Sequence, residues 1–466
     1  METTELKHVV LVPYPFQGHI TPMLQLGSIL HAKGFSITIA HTKFNSPNPS
    51  NQPKFTFLPL SDNLDGYDTS FYNILNAISV MNKNCESSFE EYIVGMKGKV
   101  GCIIYDSIMK FVDVVANKLK LPTIVLRTTT AAYMQSHIVM FQLVAQKLIP
   151  LPDSQLQALV PKMYPLRFKD LPLSASEEIP KSVLEFVVSY MDIKSSSAVI
   201  WNTVETLDHC PLQQLQQHLQ VPFFPIGPFH KMAPPLMPTT SLMEEDISCL
   251  SWLDKQAPNS VVYVSLGSMA IIDENELIEM ARGLAKSEQP FLWVIRPSLL
   301  NNGSDDAITS LPEHLIQEKG LVVKWAPQKK VLAHSAVGGF FDPLWMEFDD
   351  LESLCEGVPM ICRPSFADQM VNARYLTHVW KVGLELENVD EKSVERGIRT
   401  VMVGEQGMEM RQRAIEMKQE VERSLIRGGS STTHLTVLLL VLGSCCSTSL
   451  EFGGSFRGGG GFYRGK

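Results

Sequence analysis

Val9-Val10-Leu11-Val12-Pro13-Tyr14-Pro15-Phe16-Gln17-Gly18-His19-Ile20-Thr21-Pro22 runs from an aliphatic strand into a turn that carries a histidine. An unbroken aliphatic run reads as a strand buried on both faces. Residues 22–33 read as a helix and 36–41 as the next strand. Strand, helix and strand at this spacing form the unit of a parallel sheet covered by helices. The pattern continues at 101–105, 123–126 and 198–202. It returns at 261–265, 291–295, 321–324 and 358–362. The expected fold class is α/β.

At 466 residues the chain exceeds one ordinary core, so two domains are expected. The two strand-rich halves meet in residues 222–238, which carry Pro222, Pro225, Pro228, Pro234, Pro235 and Pro238. Proline removes donors and resists helix, so the stretch reads as a linker. The expected organisation is a first domain over 1–235, a second over 236–431 and an atypical, disordered tail over 432–466. Ligands of doubly wound sheets sit at the carboxyl ends of strands, so two such domains face to face make a cleft.

The net charge of −9 argues against nucleic acid as the main ligand, because phosphate backbones demand basic patches. The eight cysteines, Cys85, Cys102, Cys210, Cys249, Cys355, Cys362, Cys445 and Cys446, form no C-x-x-C pair, which suggests neither zinc nor a redox motif. Scattered thiols fit a cytoplasmic protein. The first strand is too short for a signal-peptide core, and the apolar run at 437–442 falls far short of the roughly 20 residues that cross a bilayer. No membrane span is expected.

His19 follows the first strand, at the rim of the cleft. A neutral imidazole there could take a proton from a hydroxyl, although a lone histidine is more often packed or capping. Asp106 ends the strand Cys102-Ile103-Ile104-Tyr105. If that strand neighbours the first, Asp106 could hold the far nitrogen of His19; the alternative is a helix N-cap.

A denser pattern follows. It begins Trp325-Ala326-Pro327-Gln328, continues Val331-Leu332-Ala333-His334 and Ala336-Val337-Gly338-Gly339-Phe340, and resumes with Leu351-Glu352-Ser353, Gly357-Val358-Pro359-Met360, Pro364, Asp368 and Gln369. It resembles the signature of plant family-1 UDP-glycosyltransferases. The resemblance extends to Gln17-Gly18-His19, Asp106, Trp201-Asn202-Thr203 and Ser265-Leu266-Gly267-Ser268, covering roughly residues 5–431.

The resemblance implies two Rossmann-like domains of GT-B type, with the acceptor on the first and the UDP-sugar on the second. It implies an inverting, metal-free transfer of glucose from UDP-glucose to a hydroxyl of a flavonoid, terpenoid or similar molecule, by a monomer without further cofactor. His19 would be the base and Asp106 its partner. Trp325 would stack on uracil, with Ala326 and Gln328 on the base and ribose and Glu352 on the ribose hydroxyls. Ser268 would approach the diphosphate, Asp368 and Gln369 would bind the sugar, and Thr128 would be a further sugar contact. Carboxylates accept from vicinal hydroxyls, and an indole face suits a planar base. A nicotinamide dehydrogenase would share the fold but needs a G-x-G-x-x-G after a strand, which is absent.

Between Phe341 and Leu351 the chain departs from that family. The family reads Thr-His-Cys-Gly-Trp-Asn-Ser-Thr; here stands Asp342-Pro343-Leu344-Trp345-Met346-Glu347-Phe348-Asp349, and the motif is one residue longer. Pro343 replaces a phosphate-binding histidine, and Glu347 would repel phosphate where a helix N-terminus normally attracts it. Asp342, Glu347, Asp349, Asp350 and Glu352 match no metal-loop spacing. The family octapeptide, written as codons and read one base early, translates to these eight residues, so a local frameshift accounts for them. The alternative function is a catalytically impaired member of the same family. A one-base shift likewise accounts for Thr432-Thr433-His434-Leu435-Thr436-Val437. The arginine–glycine terminus reads as out-of-frame, disordered sequence rather than as a single-strand-binding segment.

Overall fold

The computed structural model describes residues 8–67, 73–96, 98–193, 195–234, 239–267, 272–297, 299–300, 311, 319–342, 347–364 and 368–445. The first sheet contains β1 (His8–Val12), β2 (Ser36–Thr42), β3 (Thr56–Leu60), β4 (Val100–Asp106), β5 (Thr123–Arg127), β6 (Ala198–Trp201) and β7 (Phe223–Pro225), in the order β3-β2-β1-β4-β5-β6-β7. The second contains β8 (Val261–Ser265), β9 (Phe291–Val294), β10 (Gly320–Val323), β11 (Val337–Asp342), β12 (Met360–Cys362) and β13 (Gly383–Glu385), in the order β10-β9-β8-β11-β12-β13. The strand pairings are parallel throughout.

The described helices are α1 (Gln17–Ala32), α2 (Ile74–Gly95), α3 (Phe111–Leu119), α4 (Ala131–Ala145), α5 (Lys181–Met191), α6 (His209–His218), α7 (Phe229–Met232), α8 (Ser248–Leu253), α9 (Glu274–Ser287), α10 (Gln328–Leu332), α11 (Glu347–Glu356), α12 (Asp368–Arg374), α13 (Glu391–Val403), α14 (Glu405–Leu425) and α15 (Ser430–Cys445). The unbroken aliphatic runs follow from burial on both faces. Along β1, Val10 and Val12 pack with α2 and α3, while Val9 and Leu11 pack with α1. Gly27 lets α1 lie close to β1, since a Cβ there would fall 2.9 Å from Leu11 Cδ1. In the second sheet Val262 and Val264 face α9 and α13, and Val261 and Tyr263 face α8 and α10.

Three expectations need correction. The helix expected from Pro22 begins at Gln17. Proline favours a first turn, but Ile20 is buried with Met23 and Leu24, and Ile20 N donates to Phe16 O at 2.9 Å, so the helix extends back past the proline. The proline-rich linker opens with β7 and α7; Pro225 is tolerated because β7 is an edge strand. The expected boundary at 235 lies outside the described residues.

The third correction concerns the tail. Residues 432–445 are helical, within α15. Leu435, Leu438 and Leu442 are buried with Val9, Leu11 and Ile104, so the chain returns from the second domain to cover the first sheet. Ser431 Oγ donates to the Gly227 carbonyl at 2.6 Å. Residues Glu405–Ser444 are long and apolar enough, by length and composition, to cross a membrane, but this leucine row packs into the protein. Residues 446–466, with the arginine–glycine terminus, lie outside the described residues.

Candidate active site

The order of the first sheet reverses between β1 and β4, which opens a crevice at the carboxyl ends of those strands. Val12 pairs with Tyr105, so the residues that follow the two strands meet. His19, in the first turn of α1, has Nδ1 2.6 Å from Asp106 Oδ2. Asp106 is 1% exposed, and its other oxygen, Oδ1, accepts from Ile108 N at 3.0 Å. Asp106 is therefore the partner of the histidine; the alternative, a helix N-cap, is not realised, because its other oxygen closes the turn at Ile108 and α3 begins only at Phe111, with Lys110 before it. A carboxylate on Nδ1 selects the tautomer with hydrogen there and leaves the Nε2 lone pair as the basic site. Thr128, just after β5, brings Oγ1 to 3.2 Å from the same Nδ1.

In the second sheet the reversal falls between β8 and β11. Gly267, with φ of +67°, turns the chain after β8; Ser268 lies outside the described residues. Trp325 is half-buried between β10 and α10, its carbonyl accepting from Asp246 N at 2.9 Å, and Ala326 is buried. Gln328 opens α10. Its Nε2 donates to Glu352 Oε2 at 3.1 Å, and Tyr263 donates its hydroxyl to Gln328 Oε1 at 3.3 Å. Glu352 on α11 is 2% exposed. Four of the expected nucleotide contacts, Trp325, Ala326, Gln328 and Glu352, thus lie on or between neighbouring elements, and Gln328 and Glu352 are hydrogen-bonded to each other. Asp342 is buried at the end of β11, while residues 343–346 and the side chains of 347–350 lie outside the described part.

Asp368 and Gln369 open α12. Burial is the main force that pushes the Asp368 carboxyl up to about 7; the charge of His19, from the other domain, is among the influences that draw it down. Asp368 is therefore within electrostatic reach of the histidine across the crevice. Gln369, beside it, is fully buried. Among the described residues no group of three or more His, Cys, Asp or Glu side chains is arranged to hold a metal.

Sequence reasoning missed the apolar surroundings of His19. The Tyr14 ring meets the imidazole edge-to-face, 5.0 Å between centroids. On the Tyr14 side, Phe16, Phe44, Ile74, Ile78 and Met81 enclose a small apolar void. The signal was the pair of aromatics inside the opening motif; Phe44 and the α2 residues join only through folding. Gln17 was read only as part of that motif. It ties α1 to the second half, donating to Thr240 O at 2.9 Å and accepting from Leu242 N at 2.7 Å.

Comparison with known proteins gives concordant matches. A family model described as "UDP-glucoronosyl and UDP-glucosyl transferase" matches residues 30–422. UDP-glycosyltransferase 76E1 of Solanum lycopersicum is 51% identical over 427 residues, covering 90% of this chain and 89% of that protein. The flavonol 3-O-glucosyltransferase UGT76E12 of Arabidopsis thaliana is 43% identical over 443 residues, covering 92% and 95%. Among solved structures, Phytolacca americana UGT2 complexed with UDP-2fluoro-glucose and pterostilbene superimposes with a TM-score of 0.78 at 25% identity, covering 95% of this chain and 100% of that one.

Proposed function

The chain belongs to the UDP-glucuronosyl and UDP-glucosyl transferase family, and from that premise we propose that it moves glucose from UDP-glucose to a hydroxyl of an apolar small molecule. The observation that carries the reading is the 2.6 Å His19–Asp106 contact at the first switch point, with Asp368 of the second domain within reach. His19 Nε2 takes the proton of the acceptor hydroxyl while Asp106 stabilises the imidazolium. The acceptor oxygen forms its bond to the anomeric carbon as the bond from that carbon to the diphosphate breaks. UDP leaves with the electron pair, from the face opposite to attack, so the anomeric configuration inverts. Ser268, after β8, would meet the leaving charge, whereas Pro343 and Glu347 before and at the start of α11 offer it less than the family's segment would.

On the donor, Trp325, Ala326 and Gln328 would hold uracil and ribose, Glu352 the ribose hydroxyls, and Asp368 and Gln369 the glucose. The aromatic side chains Tyr14, Phe16 and Phe44, which cluster beside His19, favour a neutral, hydrophobic acceptor such as a flavonoid or terpenoid. The names of the relatives support the same class: one acts on flavonols, and the Phytolacca protein was solved with pterostilbene. The transfer is metal-free, and the protein works as a cytosolic monomer; buried thiols outside any disulfide, such as Cys85 and Cys249, accord with a reducing compartment. An acceptor screen with labelled UDP-glucose, followed by NMR of the product, tests the reading. A β-glucoside formed equally well in EDTA is the expected product; an α-glucoside or a metal requirement would overturn it.

A further inference from the structure

A chain of charges joins the two domains behind the sugar end of the crevice. Arg167 and Asp170 lie in a first-domain loop, where Phe168–Asp170 form a single 3-10 turn. Arg167 grips Asp170 with two parallel contacts, Nε to Oδ2 and Nη2 to Oδ1, each 2.8 Å. From the second domain, Arg374 brings Nε to 3.3 Å from the same Oδ2. It also donates to the Pro165 carbonyl from Nε at 3.2 Å and Nη2 at 3.1 Å. Glu385, which ends β13, lies 3.4 Å from Arg167 and 3.9 Å from Arg374. Asp170 is 1% exposed and Arg374 7%, so solvent screens the array little.

Arg374 is the last residue of α12, and Asp368 and Gln369 are its first two. The helix is seven residues long, roughly 10 Å end to end. Between its ends, Val371 is fully buried in a cluster of first-domain side chains, among them Ala132, Met140, Leu166 and Leu171. Asn372 Oδ1 accepts from Thr130 Oγ1 at 3.3 Å. A second-domain helix is thus held along its length by first-domain groups.

We infer that Asp170 and Arg374 are positioning residues that set α12, and with it the glucose-holding Asp368 and Gln369, in register with His19 of the acceptor domain. The inference rests on the donor-site reading above. Its physical content is that a misplacement of about 1 Å between reacting groups can cost roughly a hundredfold in rate. The nucleotide half of the donor contacts Trp325, Gln328 and Glu352, none of which belongs to α12, so UDP alone would not sense the change.

The experiment compares Asp170→Asn, Asp170→Glu and Arg374→Lys with the parent chain. For each, kcat and KM for UDP-glucose and the Kd of UDP are measured with thermal unfolding alongside. Asp170→Asn is expected to lower kcat about tenfold or more and to raise the UDP-glucose KM, while UDP affinity changes less than about twofold. Asp170→Glu should recover part of the loss. If Asp170→Asn does not fold, Arg374→Lys, which keeps the charge but not the two-point grip on Pro165, is held to the same criteria. Equal losses for UDP and UDP-glucose, or an unchanged kcat in the folded variant, overturn the inference. Gln369→Ala separates the two readings: if it fails to weaken UDP-glucose selectively over UDP, the donor-site reading falls, not the positioning one alone.

Discussion

At the scale of single residues, the site sets a carboxylate–imidazole pair in one domain against a second carboxyl from the other. Asp106 is buried yet fully engaged, one oxygen on His19 and one on a backbone N–H. Asp368 differs. Its carboxyl is pushed up to about 7, chiefly by burial, so it titrates near neutrality. Below that pH it is neutral and above it is charged. A carboxylate accepts from sugar hydroxyls more strongly than a neutral acid, by about 1 kcal/mol per bond. UDP-glucose binding should therefore tighten roughly fivefold as pH rises from about 6 to about 8. Titration calorimetry at the two pH values checks this: Asp368→Asn should flatten the dependence. The same elevation implies a stability cost. The folded protein holds the proton between the ordinary carboxylate pKa of 3.8 and about 7, so this group's contribution to stability falls as pH rises through that window.

Among the elements, strands were the most legible part of the sequence where their residues were aliphatic and central. β8 was read to the residue, whereas β3, β7, β11 and β13 were missed. β7 hides behind prolines that only an edge strand tolerates, and β11 was absorbed into a motif whose glycines disguised it. Asp106, Thr128, Gln328 and Asp368 were legible as candidates because they end or follow strands or open helices, whereas Glu352 lies inside α11 and came only with the motif. The interdomain array was not legible: Asp170 and Arg374 lie far apart in sequence and meet only through the fold. The helix α15 was also misread, because its sequence departs from the family's while keeping an apolar row. Leu438→Ala should cost about 2–5 kcal/mol of unfolding free energy, whereas Leu440→Ala, at a position 67% exposed, should cost little. Denaturant melts of the two variants check this, and equal melts would deny the docking of α15. The segment between β11 and α11 carries a second expectation. Replacing residues 342–350 with Thr-His-Cys-Gly-Trp-Asn-Ser-Thr restores donors in place of Pro343 and Glu347. Each charge-assisted hydrogen bond regained is worth about 1.5–3 kcal/mol, so UDP should bind at least roughly tenfold more tightly. Unchanged affinity would mean that the native segment already supplies those contacts.

For the whole molecule, two doubly wound sheets bring two switch points to one crevice, and among the described residues the chain laces them together at several places. Gln17 reaches the start of the second half, α12 plugs into the first domain, and α15 returns to the first sheet. The proposed base and the groups assigned to the sugar come from different domains, so on the proposed reading chemistry depends on how the domains sit together, while nucleotide binding depends mainly on one. That division makes a single comparison decisive. Glucosyl transfer to a flavonol acceptor is measured for the parent chain and for His19→Ala at saturating UDP-glucose, with the Kd of UDP measured on the same preparations. The account predicts that transfer falls roughly a hundredfold or more, the scale of general-base catalysis, with UDP affinity nearly unchanged. Transfer at the parental rate in His19→Ala would contradict it.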